Sequence, residues 1–230
     1  MIIEIKNVKK SYNGRVVLQI ENLSFQRAET IGVVGNNGAG KTTLFRLLLD
    51  LIRADSGEIR SKGEIVANSS NWKAYTASYL DEGFLIDYLT SEEYFEFIGS
   101  LHDLSKADII ALSNNYKEFF NGEILGVGKY IRDFSKGNKN KVGIVAALMQ
   151  SPEILILDEP FASLDPTTQI RLKTLLKNLA KKSVTTLISS HDLTHVTEVC
   201  DRIILLEKGI IKDFQTNENS LKELETYFAE

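Results

Sequence analysis

A glycine-rich segment that ends in a lysine and two threonines is the part of the sequence whose residue types best suit chemistry. It has the pattern Gly35-x-x-x-x-Gly40-Lys41-Thr42 and lies between a short apolar run and a stretch with apolar residues at helical spacing. Glycines let the backbone approach a ligand closely, while loop N–H groups and the positive end of the following helix attract an anion. The pattern predicts a phosphate-binding loop formed by Gly35, Asn36, Asn37, Gly38, Ala39, Gly40, Lys41, Thr42 and Thr43.

Four side chains in two segments have predicted roles of their own. Lys41 can reach the β- and γ-phosphates of a nucleotide, and the Thr42 hydroxyl can ligate Mg²⁺. A second apolar run, 154–157, is followed by Asp158 and Glu159. A carboxylate at the end of a parallel strand lies where ligands bind in such sheets, so Asp158 is predicted to orient Mg²⁺. Glu159 is placed to polarise an attacking water as a general base.

Composition sets the broad class of the protein. The chain has 230 residues, 43% hydrophobic and 25% charged, which is typical of a globular protein of one large domain or two lobes. The net charge of −4 disfavours a nucleic-acid surface over the whole protein, although a local patch stays open. A single cysteine, Cys200, excludes an internal disulfide and suits a reducing compartment. We expect no signal peptide and no membrane span, since no apolar run approaches the required ~18 residues.

The order of predicted elements indicates the fold. Residues 2–8 alternate as a half-buried strand, and 16–25 contain one or two further strands. Residues 88–121 are predicted to be helical, and a helix over 135–149 precedes alternating buried strands and helices. A short amphipathic helix is expected from residue 220 onward.

These elements predict an α/β fold. A P-loop NTPase core with a mainly parallel sheet would carry an N-terminal antiparallel β subdomain and an inserted α-helical subdomain. We expect a single domain over 1–230, in which 1–84 and 150–230 form the core and 85–149 the helical subdomain.

Three further motifs, taken with the phosphate loop and the acidic pair, resemble those of a known family. They are similar to the signature sequence, the dimer-contact loop and the switch histidine of the nucleotide-binding domains of ATP-binding-cassette (ABC) transporters. In this chain they read Phe134-Ser135-Lys136-Gly137-Asn138, Ser163-Leu164-Asp165 and His191. The resemblance covers nearly all of the chain and separates it from other phosphate-loop proteins, such as kinases and GTPases.

The resemblance implies an ATPase that binds ATP and Mg²⁺ between two domains paired head to tail. Ser135 and the Gly137 N–H would contact the γ-phosphate across the interface, and Tyr12, in a predicted turn, would stack on the adenine. His191 would hold the γ-phosphate and the attacking water in line. The catalytic residues implied in this way are Glu159, His191 and Lys41.

Two departures from the family pattern stand out. The signature has Lys136 for its first glycine and Asn138 for its glutamine, as in sequences that resemble bacterial drug or peptide exporter ATPases. The family also has a glutamine in a loop that joins the core to the helical lobe, and residues 79–84 of this chain contain none. Asp81 or Glu82 could accept from a Mg²⁺-bound water in its place, and the sequence leaves both open.

The function implied by the resemblance is ATP-driven transport, in the direction of export, through separate integral-membrane subunits. The chain would work as a homodimer, or as a heterodimer with another ATP-binding subunit, in the cytoplasm at the inner face of the membrane. A groove beside the helical lobe would receive a short helix from each membrane subunit, with exposed aromatic residues at the contact. The expected aromatics are Phe84, Tyr88, Tyr94, Phe95 and Phe97.

Two alternative functions stay open at this point. One is an ABC ATPase of DNA repair or translation, although those members usually carry a coiled coil, zinc modules or a second cassette. No nucleic-acid partner is expected here. The other is a regulatory subunit that binds ATP and hydrolyses it poorly, against which Glu159 and His191 argue. We assign no functional role to His102, His195 or Trp72.

Overall fold

The computed structural model describes residues 1–215 and Leu224. In this part of the chain, ten strands and seven α-helices form the predicted α/β arrangement. The strands are β1 (Ile3–Tyr12), β2 (Arg15–Phe25), β3 (Thr30–Val34), β4 (Ser56–Ser61), β5 (Glu64–Ile65), β6 (Thr76–Tyr79), β7 (Ile154–Leu157), β8 (Thr185–Ser190), β9 (Arg202–Glu207) and β10 (Ile210–Gln215). The helices are α1 (Lys41–Leu48), α2 (Ser91–Ser100), α3 (Lys106–Asn115), α4 (Lys117–Phe120), α5 (Lys136–Leu148), α6 (Pro166–Lys181) and α7 (Leu193–Val199). The amphipathic helix predicted from residue 220 lies outside the described residues, apart from the buried Leu224.

The N-terminal sheet is antiparallel, as predicted, with the strand order β2-β1-β4-β5. The segment 16–25, which was predicted to contain one or two strands, belongs to the single strand β2. It pairs with β1 from Ile3↔Phe25 to Tyr12↔Arg15, with an irregularity after Lys10. Tyr12 therefore ends a strand at the hairpin turn, which fixes its position relative to the sheet.

The second sheet has the order β10-β9-β3-β8-β7-β6 and is parallel except for its last hairpin strand, β10. All residues of β3, β7 and β8 are buried. Helices and the antiparallel sheet cover both faces of these strands, which is why their sequences are continuous apolar runs without alternation. The carboxyl ends of β3, β7 and β8 lie side by side, so the loops that follow them meet at one edge.

Two hydrophobic clusters, one on each face of the parallel sheet, divide the fold into three layers. Alternate residues of β7 belong to different clusters, because successive side chains on a strand face opposite sides. Ile154 and Ile156 pack in the cluster that includes α1 and the antiparallel sheet. Leu155 and Leu157 pack in the cluster that includes α5, α6 and the helical segment between β6 and α5. The helical segment thus shares a hydrophobic core with one face of the parallel sheet.

The predicted helical segment 88–121 is confirmed as α2, α3 and α4. Thr90 caps α2 in a reciprocal capping box with Glu93, and Ser105 caps α3 in the same way with Asp108. Hydrogen bonds from Thr90 and Ser105 hold the pKa of each of these two carboxyls below its usual value. Within residues 1–215, no helix combines the length and apolar character that crossing a membrane requires.

The predicted exposure of the aromatic residues near this segment is partly wrong. Tyr94 and Phe95 are buried, because they lie on the face of α2 that enters the hydrophobic core. Phe84, Tyr88 and Phe97 are exposed, as predicted. The helical periodicity identified an apolar face, but a packing face and a docking face have the same pattern in sequence.

Replacing Gly143 by alanine is expected to destabilise the protein, although alanine is the better helix former by about 1 kcal/mol. A Cβ there would lie 2.0 Å from Tyr79 Cε2, and overpacking of this kind costs roughly 1–3 kcal/mol. Calorimetry should show a lower melting temperature for Gly143→Ala than for the wild type. Asn114→Ala, at an exposed position of α3, is the control and should not lower it. An unchanged melting temperature in Gly143→Ala would show that the Tyr79 ring is not held against α5.

Candidate functional site

The phosphate-loop segment lies between β3 and α1, in the predicted strand-to-helix context. Gly35 passes so close to β9 that a Cβ there would lie 2.3 Å from Leu206 O. Gly38 has a φ of +82°, which favours glycine, and no atom within 4 Å of its Cβ position. Two glycines of the loop are therefore required by the fold, Gly35 for close approach to a strand and Gly38 for a left-handed backbone open to a ligand.

Lys41 is 7% exposed and extends over the loop that precedes it. Its Nζ donates to Gly35 O at 2.7 Å and lies 3.5 Å from Glu159 Oε1. The neighbouring Thr42 Oγ1 donates to Asp158 Oδ2 at 2.7 Å. The structure thus brings together the basic end of the loop and the acidic pair, two motifs that are far apart in sequence.

Asp158 follows the last residue of β7 and is largely buried. Burial raises the pKa of its carboxyl, while hydrogen bonds from Ser189 and then Thr42 oppose the shift, and the nearby Glu159 adds to it. Ser189, on β8, donates its hydroxyl to Asp158 Oδ1. Sequence reasoning missed Ser189, although its place at the end of a predicted buried strand, two residues before His191, could have indicated it.

Glu159 has a left-handed backbone, with a φ of +48°. Its N–H donates to Ser189 Oγ at 2.8 Å, and its carbonyl accepts from Ala162 N at 3.0 Å. Its side chain reaches His191, whose Nδ1 lies 2.8 Å from Glu159 Oε2. The predicted base and the predicted switch histidine are therefore in direct contact, and His191 is 59% exposed.

A pocket of about 370 Å³ opens over the loop, within the size range of small-molecule sites. Tyr12 stands at this pocket with 44% of its surface exposed, and the Lys10 ammonium lies 5.1 Å from its ring centroid. Val17, on β2, was not predicted from the sequence. The residues that line the pocket are Tyr12, Val17, Asn37, Gly38, Ala39, Gly40, Lys41, Thr42, Thr43 and Glu159.

The signature residues lie apart from this pocket, whose lining includes neither Ser135 nor Gly137. Ser135 is the N-cap of α5, and its Oγ accepts from Asn138 N at 3.2 Å. A Cβ at Gly137 would lie 2.5 Å from Ser163 O, so the signature packs directly on the predicted dimer-contact loop. Lys136 is exposed in the first turn of the helix.

Asp81 and Glu82, the two residues predicted as alternatives near Mg²⁺, each contact a nearby group of the protein. Asp81 Oδ1 accepts from Gly83 N at 2.7 Å and caps a short 3₁₀ turn, Glu82–Phe84. Glu82 Oε2 lies 3.4 Å from the Lys139 ammonium on α5. Since β6 pairs with β7, both residues follow the strand next to the one that precedes Asp158. Their role at a metal stays a prediction.

Among residues 1–215 and Leu224, no group of three His, Cys, Asp or Glu side chains could hold a metal unaided. Mg²⁺ bound with a nucleotide does not need such a group, because it is held by one or two carboxylates together with phosphates and waters. The Asp158 carboxylate, with the Thr42 hydroxyl 2.7 Å away, supplies the oxygen ligands that Mg²⁺ prefers. The residues present therefore fit this ion.

The structure shows where the three residues without an assigned role, His195, Trp72 and His102, lie. His195 stacks on Phe161, with ring centroids 4.6 Å apart, and its Nε2 lies 3.7 Å from Asp192 Oδ2, so it is a packing residue. Trp72 is buried and donates its Nε1 to Ser69 O at 2.9 Å. His102 lines the groove beside the helical segment.

Comparison with known proteins agrees with this geometry. A family model described as "ABC transporter" matches residues 18–162. The lantibiotic transport ATP-binding protein SrtF of Streptococcus pyogenes is 30% identical over 230 residues, which cover 97% of this chain and 95% of the relative. An ABC transporter ATP-binding protein of Synechocystis sp. is 33% identical over 199 residues, which cover 82% of this chain and 53% of the relative. The chain thus spans about half the length of that protein.

A solved structure described as the ATP-binding subunit of an ABC transporter is similar over its whole length. It has a TM-score of 0.87 and 27% identity, with 100% of each chain covered. The family match covers more than half of the chain and includes both the phosphate loop and the acidic pair. The chain therefore belongs to the ABC transporter family, as one of its ATP-binding, ATPase-type subunits.

Proposed function

We propose that the chain hydrolyses ATP as one half of a head-to-tail dimer and thereby powers export through separate membrane-spanning subunits. The observation that carries this proposal is the position of the Glu159 carboxylate. It lies 3.5 Å from the phosphate-loop Lys41 and 2.8 Å from His191, beside the pocket over the loop. A carboxylate so placed can polarise a water next to a bound γ-phosphate.

Each residue of this site has a role in the proposed reaction. The loop N–H groups and Lys41 hold the β- and γ-phosphates, and Tyr12 stacks on the adenine at the other side of the pocket. Glu159 accepts the proton of the attacking water, and His191 holds that water and the γ-phosphate in line. Thr42 and Asp158 would hold Mg²⁺, which neutralises charge on the phosphates.

The separation of the signature from the pocket supports the dimer. Ser135 and Gly137 are at the N-terminus of α5, a suitable place for a phosphate, but they line no part of the pocket over their own loop. A second chain, turned head to tail, would place its Ser135 over the γ-phosphate bound to the first. ATP held by both chains would stabilise the dimer, and hydrolysis would remove that stabilisation.

A groove of about 300 Å³ supports contact with a membrane subunit. It lies between α2, α5 and β6, and the exposed Phe84 is part of its wall. Gln150 also lines it, and in the described part of the chain its buried Nε2 has no hydrogen-bond partner. A helix from the partner could bury Phe84 and offer an acceptor to this amide.

The same proposal covers domain organisation and location. Residues 1–84 and 150–230 would form the ATP-binding core, and 85–149 the subdomain that moves with the partner. The chain would lie in the cytoplasm at the inner face of the membrane, held there by its partners. Export as the direction rests on the resemblance of the signature, with Lys136, to those of drug or peptide exporter ATPases, and the relative SrtF is described as a lantibiotic transport protein.

Replacing Glu159 by glutamine should lower ATP turnover by about 10²–10⁴-fold, the usual contribution of a general base. ATP binding should persist, because the loop and Lys41 are unchanged. Phosphate release and nucleotide binding would be measured on the same samples. Glu153→Gln, at the opposite end of β7, is the matched control and should retain turnover. Normal turnover in Glu159→Gln would rule out this residue as the base.

A mixture of Lys41→Ala and Ser135→Ala chains should hydrolyse ATP although each variant alone does not. In a head-to-tail dimer each site takes Lys41 from one chain and Ser135 from the other. A mixed dimer then contains one site with both defects and one site that is intact. Steady-state ATPase activity against the mixing ratio, at fixed total protein, should therefore peak near equal amounts. A flat, inactive profile would mean that both residues serve the same site within one chain.

A further inference from the structure

A closed set of hydrogen bonds surrounds the acidic pair. Asp158 N–H donates to Tyr79 O at 3.0 Å, and the Tyr79 phenol donates to Asn140 Oδ1 at 2.9 Å. Asn140 Nδ2 donates to Ala162 O at 2.8 Å, and Ala162 N–H donates to Glu159 O at 3.0 Å. The last bond ends at Glu159, the residue that follows Asp158 in the chain. Together with the residues that connect them, the four hydrogen bonds therefore form a closed ring that joins β6, α5 and the loop after Glu159.

Asn140 suits its place in this ring because an amide can donate and accept at once. The Ala162 carbonyl can only accept, so the NH₂ group of Asn140 faces it and Oδ1 faces Tyr79. Burial raises the pKa of the Tyr79 phenol, and Glu82 and Asp81 add to the shift, so the phenol is a donor at neutral pH. Both side chains are less than a tenth exposed, a setting in which an unmade hydrogen bond is costly.

Close packing on both sides holds α5 at this position. A Cβ at Gly143 would collide with the Tyr79 ring, and a Cβ at Gly137 would collide with Ser163 O. These glycines precede and follow Asn140 by three residues and so share its face of the helix. The helix is therefore packed closely against β6 at Gly143, on one side of Asn140, and against the loop after Glu159 at Gly137, on the other side.

We propose that Asn140 is a positioning residue for ATP hydrolysis. It ties α5 to Tyr79 and to Ala162, and the ring so formed holds the Glu159 carboxylate where it polarises the attacking water. This inference rests on the proposed function. Neither Asn140 nor Tyr79 lines the pocket over the phosphate loop, so their effect reaches the reaction through Glu159 and not through contact with ATP.

Tyr79→Phe tests the ring with the smallest change, since it removes one hydroxyl and leaves the ring carbons packed against Gly143. We expect kcat to fall about three- to tenfold, the effect of one buried hydrogen bond. The KM for ATP should stay within about twofold, because the binding pocket is unaltered. Tyr75→Phe is the matched control: it removes a hydroxyl that bonds Ser61 Oγ at 3.1 Å, outside the ring, and should leave kcat unchanged.

A double-mutant cycle identifies the ring as the cause. Asn140→Leu removes both side-chain bonds at once and should lower kcat at least as far as Tyr79→Phe. In the double variant kcat should fall no further than in Asn140→Leu alone, because the Tyr79 hydroxyl has already lost its partner. Assays would be run well below the melting temperature of every variant, so that loss of folded protein does not enter kcat.

Three results would overturn the inference. The first is a kcat of Tyr79→Phe equal to that of Tyr75→Phe. The second is a double variant in which the losses of kcat from Tyr79→Phe and Asn140→Leu add. The third is a raised KM for ATP with an unchanged kcat. Each of these leaves the proposed function intact, provided that the wild type hydrolyses ATP and Glu159→Gln does not. A wild-type chain without turnover is a different outcome and would contradict the proposed function itself.

Discussion

The left-handed backbone of Glu159 is the constraint on which the rest of the site depends. A φ of +48° in a residue other than glycine costs on the order of 1–3 kcal/mol and persists only where neighbours hold it. Here Ser189 Oγ accepts the Glu159 N–H, and Ala162 donates to its carbonyl. The turn lets two consecutive carboxylates, those of Asp158 and Glu159, both reach the phosphate loop. On an extended strand their side chains would point to opposite faces.

Electrostatics assign different tasks to these two carboxylates. Asp158 is largely buried, which raises its pKa, and it keeps donors on both oxygens, from Thr42 and Ser189. Such a group is held rigidly and suits an ion that needs fixed geometry. Glu159 is more exposed and contacts an exposed histidine, so a water molecule can reach its carboxylate. In the proposed mechanism, adjacent residues thus combine a fixed ligand with an accessible base.

Much of the fold and of the site could be predicted because their signals are local. The glycine pattern, the apolar run before the acidic pair and the capping boxes at Thr90 and Ser105 each lie within a few residues. Ser189 and Asn140 were not assigned a role, because their importance comes from partners on other strands and loops. Tyr94, on α2, was misassigned as exposed for the same reason: which face of a helix is covered depends on what packs against it. The motifs that carry the proposed chemistry could therefore be identified from the sequence, whereas the residues that support these motifs could not.

Tyr79 joins the groove proposed to receive a membrane subunit to the site proposed for the reaction. Its ring lines the groove, its carbonyl accepts from the Asp158 N–H, and its phenol reaches Asn140. A displacement of Tyr79 by a partner in the groove would act on the acidic pair through two hydrogen bonds. Coupling between distant sites requires a contiguous element that both sites bias, and side chains in contact provide one. Because this residue ends a parallel strand, its backbone is fixed by β7, and its side chain is the part that lies between the groove and α5. Force from a membrane partner would thus reach the base mainly through Asn140 and the loop at Ala162.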